Sequence, residues 1–155
     1  MLFEPSSRCV LVIDDNHDAA DSLQDILLLD GHRVDVAYDG LDGLEKARQL
    51  KPDVLICDIG LPGMDGYQVA RAFRADAGLQ STFLVALSGY AQPEDLRRAY
   101  AAGFDVHIAK PASVERIEET VTLSKRSNKC DNSRLPGSYL SERRTERDLP
   151  SILGY

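Results

Sequence analysis

The chain has 155 residues, of which 43% are hydrophobic and 28% are charged, so it is long enough for one globular core but short for two domains. Its net charge of −7 argues against nonspecific binding to nucleic acid, because phosphate contacts require lysine and arginine on one face. No stretch approaches the roughly 18 consecutive apolar residues of a membrane span, and residues 1–8 lack the apolar segment of a secretory signal. We therefore expect a cytoplasmic protein with neither a nucleic-acid partner nor a membrane partner.

The uneven distribution of charge predicts a boundary within the chain. Residues 1–124 carry a net charge of −10, whereas residues 125–155 carry one of +3. The second segment is rich in serine and arginine and has no sustained apolar period, which is typical of chains that cannot bury a core. We expect one domain over 8–124 and a basic, mostly disordered C-terminal tail over 125–155.

Apolar runs alternate with helical patterns along the domain. The predicted strands cover residues 9–13, 34–38, 54–57, 82–87 and 106–109. A helix follows each strand: the first has the apolar stripe Ala19, Leu23, Ile26 and Leu27, the second covers 41–50, the third covers 66–75 and the fourth begins at Pro93. Ser113 is predicted to cap the fifth helix, with Val114, Ile117 and Val121 facing inward.

This alternation predicts an α/β fold, doubly wound around a five-stranded parallel sheet with helices on both faces. In such folds a ligand site lies at the carboxyl ends of the strands, near the point where the strand order reverses. If the order is the flavodoxin-like 2-1-3-4-5, the strands that end at Asp14-Asp15, Asp58, Ser88 and Lys110 are consecutive neighbours. Residues separated by nearly a hundred positions then line one pocket.

The side chains at these strand ends are three carboxylates, a hydroxyl and an ammonium group. Acids packed closely repel one another, and a bound hard cation relieves that repulsion. Mg²⁺ takes oxygen ligands and keeps several waters, which leaves room for a phosphoryl oxygen. Asp58 would then be placed to attack phosphorus in line, while Lys110 and the Ser88 hydroxyl hold the remaining phosphoryl oxygens.

Four sequence fragments lie at the predicted strand ends: Val12-Ile13-Asp14-Asp15, Cys57-Asp58-Ile59-Gly60-Leu61-Pro62-Gly63-Met64-Asp65-Gly66, Ala86-Leu87-Ser88-Gly89 and Ala109-Lys110-Pro111. Together they resemble the receiver domain of two-component, phosphorelay response regulators, of the chemotaxis-receiver type. Each fragment alone is a weak signal, and the specificity lies in all four falling at the right strand ends. The resemblance covers residues 8–124 and is part of the basis for the strand order.

The resemblance implies a role for each of these residues. It implies that Asp58 is the phosphoacceptor, and that Asp58, Asp15 and the backbone carbonyl of Gly60 ligate Mg²⁺, with Asp14 acting through a water molecule. It also implies a cis bond between Lys110 and Pro111, which only a bond before proline adopts at low cost.

The resemblance further implies partners. The phosphoryl donor would be a phosphohistidine on a sensor histidine kinase or on a histidine phosphotransfer protein. The protein would be a signalling switch rather than an enzyme, with at most self-catalysed phosphoryl transfer and slow autodephosphorylation. The sequence does not identify the downstream protein target. Because Ser88 and Lys110 bracket the fourth helix, the fifth strand and the fifth helix, at about residues 93–124, we expect the target to bind there.

Several alternatives stand beside this interpretation. Asp14 and Asp15 could simply cap a helix. A Mg²⁺-dependent aspartyl-phosphate hydrolase resembling the haloacid dehalogenases would need a second acid two residues after Asp58, where this chain has Gly60. A flavodoxin-like cofactor binder would need a phosphate-cradling first loop, which the two acids would repel. A scaffold receiver that is not phosphorylated also remains open.

His107 departs from the commonest receiver pattern, which places tyrosine or phenylalanine near this position. One interpretation is a half-exposed strand histidine with no switching role. The other is that His107, together with Ser88, forms the switch and couples the site to the outer surface of the last strand. That coupling would be sensitive to pH, because histidine titrates near neutrality.

Overall fold

Strands and helices alternate strictly in the computed structural model, which describes residues 7–89 and 92–124. The elements are β1 (Cys9–Ile13), α1 (His17–Leu29), β2 (Arg33–Ala37), α2 (Gly40–Leu50), β3 (Val54–Asp58), α3 (Gly66–Ala75), β4 (Phe83–Ser88), α4 (Pro93–Ala102), β5 (Val106–Ala109) and α5 (Val114–Leu123). The tail predicted over 125–155 lies outside the described residues. Within the described ranges, no helix is long and apolar enough to cross a membrane.

The sheet is parallel throughout and has the order β2-β1-β3-β4-β5, which confirms the predicted fold class. β3 lies at its centre, and all five residues of that strand are buried. A central strand covered on both faces has no solvent side, so it requires a continuous apolar run rather than an alternating one. The run that precedes Asp58 meets this requirement.

The two faces of the sheet carry different helices. Leu11 and Leu55 face the side covered by α2, α3 and α4, whereas their chain neighbours Val10 and Val54 face α1 and α5. This division follows from the two-residue period of a strand, which points successive side chains to opposite faces. Each helix therefore buries one apolar stripe, and the strand ends are left to polar residues.

Two predicted core positions are wrong. Ala19 is exposed, and its neighbour Ala20 packs in the core with Leu23 and Leu27, because the true stripe follows three-and-four residue spacing from Leu27 backwards. Val114 is 41% exposed because it is the first residue of α5, at the end of the helix, where less of the sheet lies beneath it. β2 and β4 are each shifted by one residue from the predicted ranges, and α2 and β3 are each one residue longer than predicted, which is the usual spread in assigning element boundaries.

Candidate metal centre at the strand ends

The parallel register brings the predicted site residues to one edge of the sheet. Ile13, the residue before Asp14, pairs with Cys57, the residue before Asp58. On the next strands, Asp58 pairs with Leu87, and Ser88 pairs with Ala109. The four predicted strand ends are therefore consecutive neighbours across β1, β3, β4 and β5.

Backbone hydrogen bonds extend this order beyond the strands into the loops. The N–H of Asp14 donates to the carbonyl of Ala37 over 3.1 Å, and the N–H of Lys110 donates to the carbonyl of Ser88 over 2.8 Å. The bond between Lys110 and Pro111 is cis, as the resemblance implied. The loop residues that carry the charges are thus held by the same ladder that orders the sheet.

Three carboxylates converge at this edge. One oxygen each from Asp14, Asp15 and Asp58 lies within 4.8 Å of the others, a spacing that suits a single bound cation. Asp14 and Asp58 are buried, whereas Asp15 is exposed. The cluster therefore combines two acids with little access to water and a third at the mouth of the site.

Burial is the largest cause that raises the pKa of Asp14 above its ordinary value, and the charges of Asp58 and Asp15 add to it. The N–H of Asn16, which donates to Asp14 Oδ1 over 3.0 Å, acts in the opposite direction, as does the charge of Lys110. Because the unfavourable causes exceed the favourable ones, the ionised carboxylate is under-compensated. A divalent cation would supply the missing positive charge.

Lys110 provides the positive charge that the described site contains. Its Nζ lies 3.3 Å from Asp58 Oδ1 and 3.6 Å from Asp14 Oδ2. The side chain is 36% exposed, so it can follow a change of charge at Asp58 without being extracted from a core. Ser88 is buried at the end of the neighbouring strand.

The loop between β3 and α3 is shaped by close backbone contacts. The N–H of Gly60 donates to Asp58 Oδ1 over 3.3 Å, and the N–H of Gly66 donates to the carbonyl of Ile59 over 2.9 Å. Asp65 caps α3 in a capping box with Gln68. The loop therefore returns against the backbone of Asp58 before α3 begins.

The structure corrects the interpretation of the two acids as a helix cap. Asn16 is the N-cap of α1, and its side chain accepts a hydrogen bond from the N–H of Ala19 over 3.0 Å. Sequence reasoning overlooked Asn16, which also orients Asp14 through its backbone N–H. The signal was available, because asparagine directly before a helical pattern is a preferred cap.

His107 is 6% exposed, so the description of it as half-exposed is wrong. It pairs with Ala86 on β4, two residues before Ser88, and Ala86 belongs to the core on the α2, α3 and α4 side. Since alternate residues of a strand share a face, His107 and Ser88 lie on the same face of neighbouring strands. This placement brings the two predicted switch residues to one side of the sheet.

Comparison with known proteins agrees with this geometry. A model of the response regulator receiver domain matches residues 10–122. The chain belongs to the response regulator receiver family. Receiver domains of two-component systems accept phosphoryl groups from histidine kinases and bind Mg²⁺ at a cluster of aspartates. Asp14, Asp15 and Asp58 form a cluster of aspartates at the strand ends here.

Individual receivers resemble the chain over most of their length. The polar-differentiation response regulator DivK of Brucella anthropi is 29% identical over 114 residues, which cover 74% of this chain and 93% of DivK. The chemotaxis response regulator CheY4 of Vibrio cholerae superposes with a TM-score of 0.72 at 27% identity, covering 76% of this chain and 98% of CheY4. The receiver domain of Francisella response regulator 1452 gives a TM-score of 0.70 at 25% identity, covering 75% and 94% of the two chains.

Proposed function

We propose that this receiver is a signalling switch in which Asp58 accepts a phosphoryl group from a phosphohistidine of a sensor histidine kinase or a histidine phosphotransfer protein. The observation that supports the proposal most directly is the contact of 3.3 Å between Asp58 Oδ1 and Lys110 Nζ beside two further acids. A carboxylate held between a cation site and an ammonium group is suited to nucleophilic attack on phosphorus.

The residues present fit a Mg²⁺ ion. Asp15, Asp58 and the carbonyl of Gly60 would hold it directly and Asp14 would hold it through water, because these are hard oxygen donors. When bound, Mg²⁺ would neutralise charge on the phosphoryl oxygens. A bound cation would also offset the mutual repulsion of Asp14, Asp15 and Asp58, which contributes to the raised pKa of Asp14.

The transfer itself exchanges one bond to phosphorus for another. An oxygen of Asp58 forms a bond to phosphorus as the bond from phosphorus to the imidazole nitrogen of the donor breaks, and the electron pair leaves with that imidazole. Lys110 then exchanges its contact with the carboxylate for one with a phosphoryl oxygen, and the Ser88 hydroxyl donates to another. Both groups therefore report on the presence of the phosphoryl group.

The response would be a shift between two conformations. Driving a receiver from about 1% to about 99% active requires roughly 5.5 kcal/mol of differential stabilisation. A charge-assisted contact at Lys110 contributes about 1.5–3 kcal/mol and a hydrogen bond from Ser88 about 1 kcal/mol. These contacts account for a smaller shift than that, so a partial change of population is the expectation.

The surface that responds would be α4, β5 and α5, and a downstream protein would bind there. Ser88 ends the strand before α4, and Lys110 follows β5 directly, so both phosphate contacts border this surface. His107 lies on β5, on the same face of the sheet as Ser88. We assign it the coupling between the hydroxyl and this surface.

Intact mass spectrometry tests the proposal. The full chain is incubated with a small phosphodonor, such as acetyl phosphate, in the presence and absence of Mg²⁺. We expect one added phosphoryl group that requires Mg²⁺ and is lost in Asp58→Asn. The matched control is Asp25→Asn, which removes the same charge from an exposed position on α1 and should leave the adduct in place.

Three outcomes would refute the assignment. Failure of the wild-type chain to form the adduct, with both a small phosphodonor and a phosphorylated histidine phosphotransfer protein, would favour a scaffold receiver that is not phosphorylated. Persistence of the adduct in Asp58→Asn would place the phosphoacceptor elsewhere. Rapid turnover of the phosphodonor without a stable adduct would favour a hydrolase.

A further inference from the structure

A buried arginine at the amino ends of the strands, opposite the candidate metal centre, contacts the C-terminal end of α5. Arg8 is 4% exposed, and its guanidinium donates to the carbonyls of Thr122 and Ser124 over 3.0 and 2.9 Å. Its Nε also lies 3.4 Å from the Ser124 hydroxyl. A cation at this position satisfies carbonyls that a helix C-terminus leaves without partners and interacts favourably with the helix dipole.

The same arginine is tied to the end of α1 through a histidine. The backbone N–H of Arg8 donates to Nδ1 of His32 over 2.9 Å, and the His32 side chain is 1% exposed. Because Nδ1 accepts this bond, the ring is neutral and carries its proton on Nε2, which lies 3.5 Å from Asp30 Oδ2. The imidazole thus depends on one particular protonation state to hold Arg8.

We propose that His32 is a pH-sensitive latch whose protonation releases Arg8 and thereby loosens the last turn of α5. A proton on Nδ1 would convert the acceptor of the Arg8 N–H into a donor, so that hydrogen bond would be lost. It would also place a second positive charge beside the buried guanidinium. Both effects act on the residue that holds the carbonyls of α5.

Two charged groups of the described residues face the imidazole. Burial is the largest cause that lowers the pKa of His32, the carboxylate of Asp30 raises it, and the charge of Arg8 lowers it. Because the pKa of His32 is lowered on balance, the stability that the neutral ring contributes is fully present above the ordinary histidine pKa. This stability is lost as the pH falls through the pKa of His32 in the folded state. The latch is therefore closed at neutral pH and opens in acid.

The proposed latch would give α5 a second input. The end of α5 that Arg8 holds lies at the amino ends of the strands, because residues 8 and 32 precede β1 and β2. Asp58 lies at the opposite, carboxyl ends of the strands, because it is the last residue of β3. α5 belongs to the surface assigned above to the downstream partner, and it leads into residues 125–155. Acid would thus alter this surface without any phosphoryl group, so the latch does not depend on the role of Asp58.

Amide hydrogen exchange of the full chain tests the latch. Protection factors for residues 120–124, corrected for intrinsic exchange rates, are measured by NMR across the acidic range together with the ¹⁵N shifts of the His32 ring. We expect protection to fall about fivefold or more on acidification, the loss expected for one hydrogen bond. The midpoint should coincide with the titration of His32.

Two variants separate the latch from general acid effects. In His32→Asn, the Asn oxygen sits the same number of bonds from the backbone as Nδ1, so it can accept from Arg8 but cannot titrate, and protection should become independent of pH. In His17→Asn, which changes an exposed histidine at the other end of α1, the wild-type dependence should remain. Wild-type protection that does not vary with pH, or that varies equally in His32→Asn, would overturn the proposal. So would a His32 ring with Nδ1 protonated at neutral pH.

Discussion

The close approach of Gly66 to the backbone of Asp58 predicts that Gly66→Ala destabilises the protein. An added Cβ would lie 2.6 Å from Ile59 Cα and 2.8 Å from the carbonyl oxygen of Asp58. Both neighbours are backbone atoms of the strand end and its loop, so they cannot rotate away as the end of a side chain can. Either α3 or the backbone at Asp58 must shift.

The expected cost follows from two opposing effects. Overpacking of this kind costs about 1–3 kcal/mol. Replacing a helical glycine by alanine returns up to about 1 kcal/mol, and less at the first position of a helix such as α3. The free energy of unfolding should therefore fall by about 1–2 kcal/mol. With a urea dependence of about 2 kcal/mol per M, the unfolding midpoint falls by about 0.5–1 M.

The assay is urea unfolding of Gly66→Ala beside a matched glycine variant, followed by the phosphodonor assay. The control is Gly60→Ala, where an added Cβ meets no atom within 4 Å and the backbone carbonyl is retained. Its free energy of unfolding should stay within about 0.5 kcal/mol of that of the wild type, as for most substitutions away from close contacts. Displacement of the Asp58 carboxylate should also slow phosphoryl incorporation in Gly66→Ala. Equal midpoints for the two variants would refute the steric reasoning.

Four further predictions concern the site and its surroundings. Saturating Mg²⁺, at about a hundred times its Kd, should stabilise the wild-type chain by about 2.7 kcal/mol in thermal unfolding, and Asp15→Asn should lose most of this gain. Burial raises the pKa of Asp14, so the protonated carboxyl contributes stability below the ordinary carboxyl pKa, and this stability is lost as the pH rises through the pKa of the folded state. Asp14→Asn should therefore raise the free energy of unfolding of the Mg²⁺-free protein in urea at pH 7, and raise it less in acid. The guanidinium of Arg98 lies 4.3 Å from the ring centroid of Tyr67, so Arg98→Gln should cost about 0.5–1 kcal/mol in urea unfolding. If His107 couples the site to the outer surface as proposed, the phosphodonor should change the amide spectrum of α4 in a pH-dependent way, and His107→Phe should abolish that pH dependence.

Each of these predictions has an outcome that contradicts it. Undiminished Mg²⁺ stabilisation in Asp15→Asn would remove that residue from the ligand set. Destabilisation of Mg²⁺-free Asp14→Asn at pH 7 would show that burial does not dominate at that carboxyl. Arg97→Gln removes the same charge from the exposed neighbouring residue on α4. If both variants lose the same free energy of unfolding, the loss comes from the removed charge and not from the contact of Arg98 with the Tyr67 ring. An unchanged pH dependence in His107→Phe would end the coupling role.

Local patterns in the sequence were sufficient to predict the order of the strands and helices along the chain. The apolar run before Asp58 has no polar alternation, which a strand buried on both faces requires, and the structure buries all five residues of β3. Ser113 and Pro93 marked helix starts because side-chain capping and a fixed proline φ act within a few residues. The choice between Ala19 and Ala20 was beyond local pattern, because adjacent positions of a helix fit the 3.6-residue period almost equally well.

The sequence by itself determined which chemistry-bearing residues stand at strand ends, since strand length and the polar residue that follows are local properties. The tertiary structure decided their distances, such as the 3.3 Å between Lys110 Nζ and Asp58 Oδ1, because parallel pairing joins residues far apart in the chain. It also decided that His107 is buried and that Arg8 reaches both His32 and the end of α5. Burial and long-range hydrogen bonds depend on how complete elements pack against one another, which no local pattern encodes.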